Sequence, residues 1–528
     1  MRLVQTLAAR TRAGPRNEAE AAQRAARRRT AAREVEIREQ RREWLRRGVA
    51  MATVASVAPG SLTQAATRSR GRVVVVGGGL AGLTAAFRLA QQGVDVALFE
   101  AAPRVGGRCW TERRAFDGGQ IAERGGELID TAHDDIIDLA LELGLVLDDL
   151  HAATPKGTES VFWIAGRRYS EGEAARDLAQ LWPALGRDSR RLGEALPTFA
   201  KFTREQATLD RMSAREWLSS RVPGGLASPL ARLLANAYTE ELGADIDDIS
   251  AVTVIDLLRD SPRDRLSPYE ESDQRYHLRG GNDSIVARLA ESLGARIETG
   301  TRLVALAKRG DGRYRLTLAR DSARRDIDAD RVVLAIPFPL LADVDLVNAG
   351  FRERKLRAIR ELGMGRNTKL QLQFNERVWN AQRGNGETRV EGSYQVSWDV
   401  SRAQAGAMGI LNFYSGGTTA AKAGDGTPEA RASDALADLD KLYPGIASRF
   451  NGRVIRNAWD RNPWSRGSYS LIKPGQYTTI HGIAPLPEGR VHFAGEQSSL
   501  DWYGYMNGAV ESGTRAATEI ARTLSRAA

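Results

Sequence analysis

Val73 to Val76 form an uninterrupted β-branched run, which predicts a strand buried on both faces, as in a parallel sheet. From Leu83 to Gln91 apolar positions recur at three-to-four spacing, the pattern of an amphipathic helix. Gly93 follows, where a helix C-terminus favours glycine. Val94 to Phe99 reads as a second strand, and Thr111 to Asp130 as a hairpin-like passage. Helical spacing then returns at Asp134–Leu143, Gly172–Leu185, Arg190–Arg204, Ser213–Ser220, Pro229–Tyr238 and Ser250–Arg259, so residues 132–270 read as a helical insertion. A helix at Ser284–Leu293 leads into strands at Arg296–Glu298, Arg302–Lys308, Tyr314–Leu318 and Arg331–Ile336, the last ended by Pro337. After a helix at Arg352–Leu362, the segments Lys369–Asn375, Tyr394–Val400 and Gly409–Ser415 have the composition of a sheet with one polar, substrate-facing side. Val491–Arg522 closes the chain as a helix-rich segment. The succession predicts an α/β fold with a second, mixed sheet.

The chain has 528 residues, 42% of them hydrophobic, enough for two or three domains. Its net charge of +10 suggests a nucleic-acid or membrane partner until the charge is located. Residues 1–70 hold 16 Arg, no Lys and 6 Glu; the rest of the chain balances, with 60 basic and 60 acidic residues. The basicity therefore belongs to a leader, and no nucleic-acid partner is expected. Cys109 is the single cysteine and there are five histidines, so neither a disulfide nor a metal site is expected. In the leader, Arg41-Arg42-Glu43-Trp44-Leu45-Arg46 precedes a mildly apolar run from Gly48 to Ala58 and small residues through Ala66. This resembles a twin-arginine export signal, with cleavage after Ala65 or Ala66. The long extension before Arg41 departs from that pattern, and the alternative is a basic arm on a cytoplasmic protein. The apolar run is too short and too rich in Ser and Thr to span a membrane, so no integral membrane segment is expected.

The candidate chemistry starts at the first strand. Gly77, Gly79 and Gly82 stand at G-x-G-x-x-G spacing between strand and helix, and Glu100 lies 18 residues after Gly82 at the end of the second strand. A dinucleotide site needs each part. The first glycine turns the chain, the second lets backbone approach a pyrophosphate, and the third lets helix pack on strand. The helix N-terminus offers N–H groups to phosphate, and the acid accepts from a ribose.

The segment Glu100-Ala101-Ala102-Pro103-Arg104-Val105-Gly106-Gly107-Arg108 resembles the E-A-x-x-R-x-G-G-R segment of the flavin-dependent amine oxidases, which include monoamine, polyamine and L-amino-acid oxidases. A second match lies some 400 residues on: His492-Phe493-Ala494-Gly495-Glu496, then Trp502 to Gly513, is similar to that family's closing motif. The resemblance spans roughly Arg72 to Arg522. It implies a discontinuous, Rossmann-like FAD-binding domain (71–131, 271–345 and 481–528), a substrate domain (132–270, with the helical insertion, and 346–480) and non-covalent FAD. The cofactor-binding residues it implies are Gly77, Gly78, Gly79, Leu80, Ala81, Gly82, Glu100, Ala101, Arg108, Gly125, Gly126, Glu127, Leu128, Val304, Trp464, Gly495, Glu496, Tyr505, Met506 and Ala509. Val304 would lend backbone N–H and C=O to the adenine. Gly495-Glu496 would meet the ribityl phosphate, and the helix from Met506 would face the pyrimidine end of the flavin.

The same resemblance places Tyr469 and Tyr505 as the walls of an aromatic cage, with ordinary core packing as the alternative. Lys369 is similar to a lysine that holds a water beside the flavin in polyamine and L-amino-acid oxidases; a strand-edge surface lysine is its alternative. Monoamine oxidases place theirs where this chain has Asp343. Ser468 stands where covalent monoamine oxidases carry the cysteine that bonds to the flavin. Leu128 stands where L-amino-acid oxidases carry an arginine for the substrate carboxylate, and Arg124, ahead of the glycine pair, would point elsewhere. The implied reaction oxidises a small-molecule amine between the two tyrosines to an imine, which water hydrolyses, while molecular oxygen becomes peroxide. An L-amino-acid oxidase, a desaturase or porphyrinogen-type oxidase, and a flavin-binding protein without turnover remain open, as does a homodimer.

Overall fold

The computed structural model describes residues 71–262, 268–269 and 272–525. The leader, with its candidate export signal, lies outside them. Strand β1 (Arg72–Val76) runs into helix α1 (Leu80–Gln91), which returns to strand β2 (Asp95–Phe99). These pair in parallel, and Ile297–Glu298, Arg331–Leu334 and Val491–Phe493 extend the sheet to five parallel strands with β1 at its centre. The valine run is apolar throughout because both faces are covered. Val73 and Val75 pack with α1 and the C-terminal helix Met506–Ser525, while Val74 and Val76 pack under a three-stranded antiparallel meander.

A second, seven-stranded sheet is mixed. Its order is Phe450–Ala458, Asn367–Phe374, Gly409–Gly416, Val396–Asp399, Gly384–Val390, Glu159–Ile164 and Arg167–Arg168, and only the pairing of Gly384–Val390 with Glu159–Ile164 is parallel. Side chains alternate across it. Leu370, Leu372, Val390, Leu411 and Phe413 pack against Ala432, Ala435 and Leu439 of the helix Pro428–Asp440. The opposite face carries Phe162, Arg389, Val396, Trp398, Tyr414 and Lys369, all of which line one large cavity.

That alternation explains where the structure departs from the sequence expectation. Gly384–Val390 is a strand with no expectation from the sequence, because its cavity face is Asn385, Glu387 and Arg389 rather than an apolar stripe. Ala323–Ala329 is an exposed edge strand, so its charged residues show no apolar period. The stretch 132–270 is mostly helical as expected, yet it also supplies Glu159–Ile164 to the mixed sheet. Its expected second helix is observed as Glu171–Leu192, with Pro183 inside; the expected Arg190–Arg204 is not a helix, residues 193–203 being irregular before the helix Arg204–Asp210. Among the described residues no helix is long and apolar enough to cross a membrane. Because β1 starts at Arg72 and the described core is built from residues after it, deleting residues 1–66 is expected to leave the melting temperature and far-ultraviolet dichroism unchanged. Precipitation of the truncated protein would show the leader to be part of the fold.

Candidate functional site

The carboxyl ends of the parallel strands open into a cavity of about 2780 Å³. Gly77 has φ +105°, and a Cβ there would stand 2.4 Å from the Ala335 carbonyl. A Cβ on Gly82 would stand 1.9 Å from the Gly77 carbonyl, while one on Gly79 would meet nothing within 4 Å. The first and third glycines are thus demanded by packing. The second leaves the N-terminus of α1, which has no side-chain cap, open to the cavity. Glu100 accepts from the Gly78 N–H at 2.5 Å and the Ala102 N–H at 2.7 Å, and burial pushes its carboxyl above the usual range.

Every site residue expected from the sequence lines this cavity except Gly78 and Gly82. Those two act from behind it, Gly78 by its bond to Glu100 and Gly82 against the Gly77 turn. Two expectations change in detail. The Val304 carbonyl already accepts from the Asp345 N–H at 3.0 Å, and Val304 sits at an irregularity that the strand ladder skips. The Glu496 carboxylate is taken up by protein groups: Arg108 at 2.9 Å, the Ser470 N–H and hydroxyl at 3.1 and 2.6 Å, and the Gly504 N–H at 2.8 Å. It ties the Arg108 turn to Ser470, next to Tyr469, rather than standing free for a ligand. Arg124 does point elsewhere, to Glu112 and Asn457.

Lys369 is no surface lysine. It is 5% exposed, and its ammonium donates to the Glu127 carboxylate at 2.6 Å and to the carbonyls of Gly125 (2.8 Å) and Glu123 (3.2 Å). The other Glu127 oxygen accepts from the Trp398 indole at 2.8 Å. Trp398 packs edge-on to Tyr414, with ring centres 5.5 Å apart, and the Tyr414 and Tyr469 hydroxyls are 3.1 Å apart. Tyr469 donates to the Glu241 carbonyl, and Tyr505 donates to the Glu241 carboxylate at 3.2 Å. Behind Tyr505, the His133 ring lies 5.0 Å away, kept neutral by burial that lowers its pKa to about 3. A continuous set of contacts therefore runs from the Gly125-Gly126 turn to both tyrosines. Ser468, beside them, donates to the Asn367 amide oxygen at 2.5 Å.

Sequence reasoning passed over Glu240, Glu241, Arg389, Tyr414 and Trp398. The first two carried a signal. They are adjacent acids in the last turn of helix α2 (Pro229–Leu242), where the helix dipole favours cations; Glu240 is buried and Glu241 half-buried. Arg389 holds Glu240 at 3.0 Å. Burial first, then the Glu240 charge, pushes the Glu241 carboxyl up to about 8.

A model of the flavin containing amine oxidoreductase family matches residues 80–521. The chain is 29% identical over 463 residues to a Mycobacterium tuberculosis protein provisionally named flavin-containing monoamine oxidase AofH, covering 86% of this chain and 97% of that protein. It is 26% identical over 466 residues to a Bacillus subtilis protein provisionally named L-amino-acid oxidase YobN, covering 85% and 94%. The solved structure of a cyclohexylamine oxidase from Brevibacterium oxydans shares the fold, with a TM-score of 0.74 at 23% identity over 86% of this chain and 99% of that one.

Removing one partner of a buried ion pair leaves the other charge uncompensated, so Lys369→Met is expected to cost about 3–5 kcal/mol in urea unfolding. The double variant Lys369→Met/Glu127→Gln is expected to recover at least half of that loss. Additive losses in the double variant would show that the pair is not the source of the cost.

Proposed function

Because the chain belongs to the flavin-containing amine oxidoreductase family, we propose that it oxidises an amine at its C–N bond to the imine, which water converts to an aldehyde and ammonia or an amine, with oxygen reduced to hydrogen peroxide. One observation carries this reading: Tyr469 and Tyr505 line the same cavity as the glycine turn, and both are tied to Glu241. Two aromatic walls orient an amine and exclude water from its lone pair. The charge of the cavity supports it too. Fifteen Asp and Glu line it against eight Lys and Arg, in a chain that is neutral outside its leader, which favours a cation.

The residues fit non-covalent FAD. The parallel sheet, the Gly77–Gly82 turn and Glu100 supply the Rossmann-like nucleotide end, with open space at Gly79 for phosphate. Arg108, Gly125, Gly126, Met506 and Ala509 would hold the ring end, where the N-terminus of Met506–Ser525 favours negative charge. Ser468, already bonded to Asn367, is no nucleophile toward the ring. FAD, when bound, supplies the redox step by accepting the substrate hydride and returning electrons to oxygen. The protein contributes orientation. Lys369 and Glu127 fix the Gly125-Gly126 turn, and the Tyr414–Tyr469 and Tyr505–Glu241 bonds fix the two rings.

A second reading, an L-amino-acid oxidase, draws on Arg389, a buried arginine at the cavity. Against it, Glu240 neutralises Arg389, Glu127 neutralises Lys369, and Leu128 offers a substrate carboxylate nothing. The paired arginines of the leader support twin-arginine export, testable by locating the protein with and without residues 1–66.

Anaerobic flavin bleaching with two panels, primary amines with diamines and L-amino acids, is expected to respond to amines alone. Bleaching by amino acids would promote the second reading, and bleaching by neither would defeat both. Glu100→Ala is expected to purify largely colourless, and a fully yellow variant would defeat the nucleotide assignment.

A further inference from the structure

Resting on the amine-oxidising reading above, we propose that Glu241 is the group that takes the proton a substrate ammonium must lose before its α-C–H bond can break. An amine reaches the protein mainly as the ammonium, whose lone pair is occupied by the proton, whereas hydride loss from the α-carbon requires that lone pair. A substrate that enters as the ammonium must therefore give up a proton inside the cavity, whereas the small neutral fraction need not. The geometry singles out one residue. Glu241 is half-buried, lines the cavity and is bonded through its carboxyl to Tyr505 and through its carbonyl to Tyr469. The proton acceptor and both walls of the cage thus belong to one short region.

Among the described residues no cation is ion-paired with Glu241; the Arg389 charge reaches it only from its pairing with Glu240. On its own helix the neighbour is Glu240. From the C-terminal segment comes Tyr505, from the loop before Ser470 Tyr469, and from the loop after the glycine turn Asp130. Tyr414 and Arg389 come from the mixed sheet, but Arg389 is paired with Glu240 at 3.0 Å. The other cavity carboxylates near the proposed flavin have partners: Glu127 has Lys369, and Glu496 has Arg108. Glu241 and Glu240 also lie at the negative end of α2. These surroundings favour the neutral carboxyl, and burial with the Glu240 charge pushes it up to about 8.

The step balances. An N–H bond of the ammonium breaks, an O–H bond forms on Glu241, and the electron pair stays on nitrogen. Two opposite charges in a buried site become two neutral groups, which the low dielectric favours. The proton leaves with the released ammonia as ammonium. Asp130, pushed up to about 6 chiefly by burial, is engaged by Ser272 and Gln274. It contributes charge to Glu241 without being bonded to either tyrosine in the described contacts.

The test is anaerobic flavin reduction of the full-length loaded protein by the fastest amine of the panel, from about pH 6 to about pH 11. Wild type is expected to give a second-order rate that rises through about 8, as Glu241 ionises. It then falls through about 10, as the free ammonium is lost. Glu241→Gln is expected to lose the falling limb. It should be slower on the order of a hundredfold at about pH 8, where roughly one primary amine in a hundred is neutral, and should approach wild type near pH 10. A readout without turnover uses tert-butylamine, which has no α-C–H. Its binding, measured calorimetrically near pH 9 in buffers of different ionisation enthalpy, should release almost no proton from wild type and about one from Glu241→Gln.

A Gln variant that keeps the falling limb, or equal proton release from the two proteins, overturns the proposal. If Glu241→Gln does not fold, Glu241→Asp decides: a displaced rising limb supports the assignment, and a profile identical to wild type overturns it. Failure of any amine to reduce the wild-type flavin would instead defeat the amine-oxidising reading, and this proposal with it.

Discussion

The ion pair between Lys369 and Glu127, 2.6 Å long and closed to solvent, is the contact on which the arrangement of the cavity depends. It joins a central strand of the mixed sheet to the turn that follows the first βαβ unit. The same ammonium takes two backbone carbonyls of that turn, so the position of Gly125 and Gly126 is set by the sheet that carries the tyrosine side of the cavity. A lone buried ammonium would be costly, and a lone buried carboxylate equally so. Each makes the other tolerable, and both lose the freedom to move. The sheet presents Lys369, Tyr414 and Trp398 on one face because Lys369 pairs with Tyr414 and side chains alternate along each strand. Contacts therefore run from the turn to Tyr469 and Tyr505 without a break, by hydrogen bonds except for the ring packing of Trp398 on Tyr414.

The same electrostatics sort the carboxylates of the cavity into two kinds. Glu127, Glu240 and Glu496 are matched to Lys369, Arg389 and Arg108, and serve to hold elements together. Glu241 has hydrogen bonds but no paired cation among the described residues. Burial and a like-charged neighbour disfavour its charge. A group whose ionised form is costly on its own, and relieved by a cationic substrate, is suited to proton transfer rather than to scaffolding.

Much of this was legible in the sequence, and for reasons that can be traced. The valine run and the glycines gave the first strand, the turn and the helix because each was read against a geometric need, which the contacts at Gly77 and Gly82 meet. The family was legible because its motifs sit at both ends of the chain. The strand Gly384–Val390 was not, because a cavity-lining face replaces apolar residues with Asn385, Glu387 and Arg389 and erases the two-residue period. The pairing of Lys369 with Glu127 was not, since residues 242 positions apart show no local pattern. Glu240 and Glu241 could have been found, as two acids at a helix end that disfavours them.

The most direct measurement is a crystal structure of the flavin-loaded protein with tert-butylamine bound. The amine nitrogen is expected between the rings of Tyr469 and Tyr505, with the Glu241 carboxyl turned toward it. An amine seated elsewhere in the cavity, with the tyrosines packed together and Glu241 directed only at Tyr505, would contradict it.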